Sequence, residues 1–390
     1  MGNCNCELFY PNTNEEFNND QNKGNQDNNN AEKLVSQYNQ ATVTVNGDKL
    51  SKINKFKKNF EKKLPEIGKF IPMSEYKKLI NKDINNYMSK NKLDYKKYIP
   101  SNASTYTFNP IKFKNDNVYY GNWNENNEME GYGIYYLNER NVITEGIWNK
   151  GNIVFGRIFF PNGDIYEGEM KYSFPNGKGK IVFSNKESYE GDFKMGEMSG
   201  KGIFIFSDNT EYNGCIENGI FNGEGTMKWE NGTEYTGNFV DSTLSGRGTI
   251  TNIQNEKYQG NFDKNEFNGE GTYYFNNGDE FEGNFEYGIK KGKGIYRRND
   301  KVIFEGIWND DLPNGNGVIS YLGNNLKGFW RNGVFVENSE NEVGNLENFN
   351  NIDKNIKPYN ITIYPSSLSH LAVADSNASQ FIPGKDLNFI

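Results

Sequence analysis

The chain of 390 residues opens Met1-Gly2-Asn3-Cys4-Asn5-Cys6. Loss of Met1 would free the amine of Gly2, the acceptor in N-myristoylation, whose pattern wants Ser or Thr at the sixth residue. Cys6 stands there instead, a small polar side chain that departs from the pattern. Cys4 and Cys6 also sit where a second acyl chain is commonly attached once myristate has brought a terminus to a membrane. Two cysteines with no histidine nearby do not make a metal site. Gly2, Cys4 and Cys6 are therefore expected to carry lipid. One myristoyl chain binds membranes only marginally, so a second signal is required. The thioesters would supply one. Lys52, Lys55, Lys57, Lys58, Lys62 and Lys63 would supply another, at ~1 kcal/mol each beside anionic lipid.

Other chemistry has little room. The only histidine is His370, and Cys215 has no histidine near it in sequence. Gly177-Lys178 lacks the context of a phosphate-binding loop. Gly-x-Gly recurs, as in Gly200-Lys201-Gly202 and Gly223-Glu224-Gly225, but inside strand patterns and not before helices, so a nucleotide reading fails. The chain reads as a non-enzyme with no cofactor and no metal.

The lysines need an element to present them. Between Ile53 and Leu64 the apolar residues Ile53, Phe56, Phe60 and Leu64 step by three, four and four, which places them on one face of a helix with lysines between. Pro65 is expected to end that helix. A second helix is expected after Pro72, capped by Ser74, with Tyr76, Leu79, Ile80, Ile84, Tyr87 and Met88 on one side. From Ser51 to Lys114 there are sixteen lysines, no arginine and five acidic residues, although the whole chain carries a net charge of −8. A basic block beside an acidic body has its own anionic partner or is simply solvated. The absence of arginine argues against nucleic acid.

The rest of the chain is organised by a repeat. Tyr189 to Glu211 and Tyr212 to Glu234 are near-copies, and starts recur at Tyr119, Thr144, Tyr166, Tyr189, Tyr212, Tyr235, Tyr258, Phe281, Phe304 and Leu326. The period is 23 residues in six of the nine steps and within two of that in the others, which marks a repeat array. Each copy reads aromatic-x-Gly-x-aromatic, a turn, Gly-x-Gly, an apolar pair and a second turn. The key positions are Tyr189, Gly191, Phe193, Gly200 and Gly202 in one copy, and Tyr212, Gly214, Gly223 and Gly225 in the next. Tyr235, Gly237, Phe239, Gly246 and Gly248 follow, then Tyr258, Gly260, Phe262, Gly269 and Gly271. Alternation with a period of two means strand, and Asn-Gly steps supply tight hairpin turns. One copy is thus about one hairpin. A glycine between two aromatics gives a ring room to lie flat on the backbone.

Some copies depart from the pattern. Phe155-Gly156-Arg157 stands where Gly-x-Gly is expected, Asp311 replaces a mid-turn glycine, and the last copy stops near Val336. Ile111 and Phe113 read as half of a missing first copy, and Ile361-Thr362-Ile363-Tyr364 as a segment able to cover an open sheet edge.

This pattern resembles the MORN (membrane occupation and recognition nexus) repeat over roughly Tyr119 to Glu337. The resemblance implies an elongated, mainly β, single antiparallel sheet of about ten hairpins with a groove along one face that takes a protein partner. It also implies a tendency to self-associate through terminal repeats, here a homodimer through Phe304 to Val336. The expected organisation is a lipidation motif over 1–9, an Asn-rich disordered tether over 10–48, a basic helical region over 49–104, the array over 105–337 and a disordered tail over 338–390. No apolar signal-peptide core is present, and three cysteines suit a reducing compartment. The functional expectation is a scaffold on the cytoplasmic face of a membrane or at the cell cortex. The alternatives are a phospholipid-binding module acting through the repeats and a soluble structural component of a cilium or cytoskeleton.

Overall fold

The computed structural model describes residues 47–94, 98, 105–299, 301–321 and 324–336. Gly2, Cys4, Cys6, residues 10–46 of the expected tether, the tail and Ile361–Tyr364 lie outside the described residues, while Gly47 and Asp48, expected in the tether, are helical. The chain divides into two compact units, with the boundary between Met198 and Ser199.

The first unit begins with α1 (Gly47–Ile67), β1 (Gly68–Phe70), α2 (Met73–Leu79) and α3 (Lys82–Lys90). Strands follow: β2 (Tyr106–Thr107), β3 (Ile111–Phe113), β4 (Val118–Trp123), β5 (Met129–Leu137), β6 (Val142–Asn149), β7 (Asn152–Phe159), β8 (Ile165–Lys171), β9 (Phe174–Val182) and β10 (Ser188–Lys194). From β3 to β10 each strand pairs antiparallel with the next. The half-copy read at Ile111 and Phe113 is β3, with Ile111 opposite Tyr119. β1 pairs with β3, so the basic region contributes a strand as well as helices.

The helix boundaries differ from expectation at two points. α1 runs through Pro65 to Ile67. A proline costs one N–H donor there, but only in the closing turn, and the chain leaves the helix two residues later. The second helix is two helices. Pro72, not Ser74, is the N-cap of α2. Helical backbone breaks at Ile80 and restarts because Asn81 caps α3, its Oδ1 accepting the Ile84 amide at 2.8 Å.

The second unit is likewise a meander. After β11 (Glu197–Ile205) come β12 (Glu211–Glu217), β13 (Ile220–Lys228), β14 (Glu234–Val240), β15 (Thr243–Thr251), β16 (Lys257–Asp263) and β17 (Glu266–Tyr274). β18 (Glu280–Glu286), β19 (Ile289–Arg298), β20 (Lys301–Asn309), β21 (Leu312–Tyr321), β22 (Asn324–Arg331) and β23 (Val334–Val336) complete it. Every pairing is antiparallel and sequential.

Two turn types alternate. After the first copy, whose turn spans 124–128, the turn inside a copy has two residues, both left-handed, as at Asn218-Gly219 and Asp310-Asp311, and this twist matches that of the strands. The turn between copies is longer, and an Asx side chain closes it. Asn231 Oδ1, for example, accepts the Thr233 amide at 2.9 Å.

Candidate interaction surface

The repeat geometry decides which faces are free. In the second unit a row of glycines crosses the sheet without a break: Gly202, Gly214, Gly225, Gly237, Gly248, Gly260, Gly271, Gly283, Gly294, Gly306, Gly317 and Gly328 are each opposite the next. The first unit has its own row, ending with Gly179 opposite Gly191. The aromatic that opens a copy lies on this row. A Cβ on Gly237 would sit 2.3 Å from the Tyr235 hydroxyl, and one on Gly248 2.5 Å from the same ring. The first glycine of Gly-x-Gly has another duty. At Gly223 a Cβ would meet nothing closer than 3.6 Å, but φ is +93°.

The tyrosine hydroxyl closes the motif. Between Gly214 and Ile216 the ladder skips Cys215, a bulge, and the Cys215 carbonyl accepts the Tyr212 hydroxyl at 2.7 Å. Tyr235 and Tyr258 do the same to the carbonyls of Asn238 and Asn261, at 3.0 and 2.9 Å. Tyr189 bonds the Asp192 carbonyl at 2.9 Å. Rings then pack on rings. Tyr212 stacks on Phe221 at 3.8 Å and meets Phe239 edge-on at 5.0 Å, and Tyr258 repeats this with Phe267 and Phe285. Burial pushes the Tyr235 phenol up to about 12. Tyr189, Tyr212, Tyr235 and Tyr258 are fully buried, and Phe193, Phe239 and Phe262 nearly so. The repeat-defining aromatics therefore build the sheet and are not themselves presented to a partner.

The other sheet face differs between the units. In the first unit α2 and α3 cover it. Tyr76, Ile80 and Met88 pack with Val118, Tyr120, Tyr132, Ile134, Ile143, Ile147 and Phe159 as one core. In the second unit the corresponding positions are Thr226, Thr236, Thr249, Gln259 and Thr272, one per strand in a single row, with charged residues beside them. This polar face is exposed to half-exposed. It is built for water or for polar partners.

Arg157 ties the helices to the first unit. Its Nε donates to Glu167 Oε2 at 2.6 Å, and one terminal nitrogen donates to the Asn91 carbonyl at the end of α3 and lies 3.5 Å from Glu145 Oε2. The guanidinium also lies over the Tyr87 ring at 5.7 Å. Glu145 accepts the Tyr132 hydroxyl at 2.6 Å. Burial raises the Glu145 carboxyl above the usual carboxylate range, although Arg157 and Tyr132 pull it down. The sequence showed Arg157 only as a broken Gly-x-Gly. Gly156 in fact keeps its place in the row, opposite Gly146 and Gly168, and the missing glycine is Val154.

α1 packs by its apolar face and is basic on the other. Phe56 stacks on Tyr106 at 4.3 Å, Phe60 stacks on Phe108 at 4.4 Å and meets Trp123 edge-on, and Leu64 is buried. Lys55, Lys57, Lys58, Lys62 and Lys63 are all exposed, and Lys52 lies in the same helix nearer its start. At ~100° per residue, Lys55, Lys58 and Lys62 fall on the side of the helix away from Phe60, about 140–160° round from it. The helix thus holds a lysine stripe facing away from the sheet, on a backbone fixed by aromatic packing.

A glycine row, a ring lying on it and a hairpin every 23 residues are the terms of a known repeat. Seven segments of this chain match the MORN repeat. They span 119–139, 166–188, 189–211, 212–234, 258–280, 281–301 and 304–321. Three further registers, at Thr144, Tyr235 and Leu326, are not matched, yet the same antiparallel pairing runs through them. The Tyr235 copy keeps the glycine contacts and the hydroxyl bond of its neighbours, with Leu244 where they place the stacked rings of Phe221 and Phe267. In the Thr144 copy no ring is available, and Ile153 fills the space over Gly146, where an added Cβ would meet its Cδ1 at 2.8 Å. No curated protein sequence matches the chain.

Among solved structures the chain is similar to the TCP10 domain of Danio rerio CPAP, with 13% identity, 51% of this chain and 88% of that one covered, and a TM-score of 0.29. It is also similar to the TCP domain of Drosophila melanogaster SAS-4 (dCPAP), solved with a proline-rich motif of Ana2, with 14% identity, coverage of 38% and 79%, and a TM-score of 0.26. Neither likeness bears on function. Among the described residues no group of acidic, cysteine or histidine side chains is set to hold a metal. No described helix is long and apolar enough to cross a membrane.

Proposed function

We propose that this protein is a non-enzymatic scaffold whose MORN repeats form a platform for protein partners, held at the cytoplasmic face of a membrane or at the cell cortex. Myristate on Gly2 and acyl chains on Cys4 and Cys6 make the attachment. The exposed lysines of α1 add contact with anionic lipid. The observation that carries this reading is the stripe of Lys55, Lys58 and Lys62, set opposite the face that α1 buries against Tyr106, Phe108 and Trp123. A basic helix whose apolar side is already occupied offers a membrane charge without insertion.

The test uses protein made without lipidation and vesicles of phosphatidylcholine containing phosphatidylserine. Three lysines at ~1 kcal/mol each amount to a partition coefficient roughly 100-fold higher. Lys55→Glu, Lys58→Glu and Lys62→Glu together should remove that preference, and salt should weaken it in the wild type. Equal partitioning of variant and wild type would end the lysine part of the reading.

The alternative in which the repeats themselves meet lipid draws on Tyr172 and Tyr287, exposed by 64% and 68% at the tips of in-copy turns. Tyr172→Ser with Tyr287→Ser separates the two readings: loss of vesicle binding in that variant alone favours the repeats.

A further inference from the structure

The polar face of the second unit carries a row of charges whose signs alternate. The middle residue of Gly-x-Gly is Glu224, Arg247, Glu270 and Lys293 in four successive copies, and all four side chains are exposed. Register sets them beside the residues that bulge: Glu224 is opposite Asn238, Arg247 opposite Asn261, Glu270 opposite Asn284 and Lys293 opposite Ile307. From β13 to β18 the row therefore reads charge, carboxamide, charge, carboxamide, strand by strand.

These groups are not used within the sheet. Among the described residues none of the four charges makes an ion pair, although Arg297, on the same face, holds Glu280 at 2.7 Å and Glu282 at 2.8 Å. The side chains of Asn238, Asn261 and Asn284 have no hydrogen-bond partner among the described residues either. Each leans over a glycine of the next strand, whose added Cβ would meet the amide nitrogen at 3.8, 3.4 and 3.7 Å for Gly246, Gly269 and Gly292. The first unit shows what such rows do when chain lies on them. There the bulge residue Glu169 accepts the Tyr98 hydroxyl at 2.9 Å, and Arg157, in the row that elsewhere holds threonines, donates to the Asn91 carbonyl.

The spacing selects the conformation of a ligand. Strands lie ~4.8 Å apart, so the charges of successive copies are about 9.6 Å apart along the row. A polyproline II segment has three residues per turn and rises ~3.1 Å per residue, so every third side chain faces the same way at about 9.3 Å. A β-strand fails, because its third residue on points to the opposite side. An α-helix brings a side chain back to one face after seven residues, at about 10.5 Å, and drifts out of step within three copies. The polyproline II backbone also makes no hydrogen bonds of its own, so its carbonyls and amides are open to carboxamides, which both donate and accept.

We propose that the row from Glu224 to Lys293 binds a polyproline II segment of a partner protein in which basic and acidic residues alternate at every third position, basic over Glu224 and Glu270, acidic over Arg247 and Lys293, with Asn238, Asn261 and Asn284 bonding its backbone. This rests on the reading of the repeats as a platform for protein partners, and names where and what they bind.

The test measures fluorescence anisotropy of labelled peptides with the full chain. Lys-Pro-Pro-Glu-Pro-Pro-Lys-Pro-Pro-Glu should bind at least about fivefold more tightly than Lys-Pro-Pro-Lys-Pro-Pro-Glu-Pro-Pro-Glu, which has the same net charge but sets two of its four charges against like charges. Arg247→Glu should lose that preference, and Lys-Pro-Pro-Lys-Pro-Pro-Lys-Pro-Pro-Glu should bind the variant more tightly than it binds wild type. An unchanged unfolding midpoint in urea checks that the variant is folded. Absence of binding, equal affinity for the first two peptides, or a loss in Arg247→Glu that the third peptide does not recover overturns the proposal. Cross-linking in the protein's own cells separates that failure from failure of the platform reading. Partners recovered equally by wild type and Arg247→Glu leave the platform standing without this row, whereas no partner recovered by either removes the platform.

Discussion

Replacing Arg157 by Met tests how the helices are held on the first unit. The side chain is 2% exposed, and so is Glu145, its partner at 3.5 Å. Methionine keeps most of the volume and removes the charge. It leaves Glu145 buried with only the Tyr132 hydroxyl and leaves the Asn91 carbonyl without its Arg157 donor. Breaking a buried pair on one side costs about 3–5 kcal/mol. The loss should depend on pH with a definite sign. Burial already raises the Glu145 carboxyl, and Arg157 is the largest influence pulling it back down. Without Arg157 the folded-state carboxyl rises further above its unfolded value. Stability from a raised carboxyl is full below the unfolded value and is lost as pH rises through the gap. Arg157→Met should therefore be weakest near pH 7 and recover as pH falls toward the ordinary glutamate range. Arg157→Met with Glu145→Gln should lose less and show a flatter profile. Urea unfolding of the full chain, with hydrogen exchange at α2 and α3 amides to report on the first unit, reads both effects. A cost under about 1 kcal/mol, or a deficit independent of pH, would refute the view that this network fastens the helices.

Other expectations follow from single contacts. Gly237→Val should destabilise the second unit by about 1–3 kcal/mol or more, because its side chain must displace the Tyr235 ring, whereas Asn238→Val should cost clearly less; equal midpoints in urea would disprove the face assignment. Tyr212→Phe should cost about 1 kcal/mol in unfolding experiments, the value of its bond to the Cys215 carbonyl, and a cost of several kcal/mol would show that the hydroxyl does more. Lys290 occupies an apolar position of the repeat, fully buried between Phe275 and Phe281, with Asp311 as its ion-pair partner. Burial lowers its ammonium below the usual lysine value, so the unfolded chain binds the extra proton, and wild-type stability should rise with pH toward the ordinary lysine range. Lys290→Met should be neutral or stabilising at pH 7, with its advantage shrinking as pH rises; a constant difference from pH 7 to 10 would show that Lys290 does not titrate on unfolding.

Much of this was legible in the sequence because the repeat carries its own register. A glycine between two aromatics implies a ring lying on the backbone, and Tyr235 over Gly237 and Gly248 is that arrangement. The steps from Ile53 to Leu64 implied one apolar helix face, and Phe56, Phe60 and Leu64 are buried while the lysines between them are exposed. Single departures were not legible, because their reasons lie across the sheet. Asp311 read as a lost glycine, yet its carboxylate accepts the Lys290 amide at 3.0 Å and pairs with the Lys290 ammonium. The two departures answer each other across 21 residues, and only the strand pairing brings them together. Arg157 is a similar case, since its partners come from α3, β6 and β8. Ser74 misled because a good capping residue can also sit inside a first turn, and Pro65 because a proline in a closing turn need not stop a helix.

The central claim is that this scaffold is held on a membrane by lipid, and mass spectrometry of the N-terminal peptide from the native protein tests it most directly. The account predicts a peptide lacking Met1, with myristate on the Gly2 amine and hydroxylamine-labile acyl groups on Cys4, Cys6 or both. A peptide with a free or acetylated amine and unmodified cysteines would contradict it.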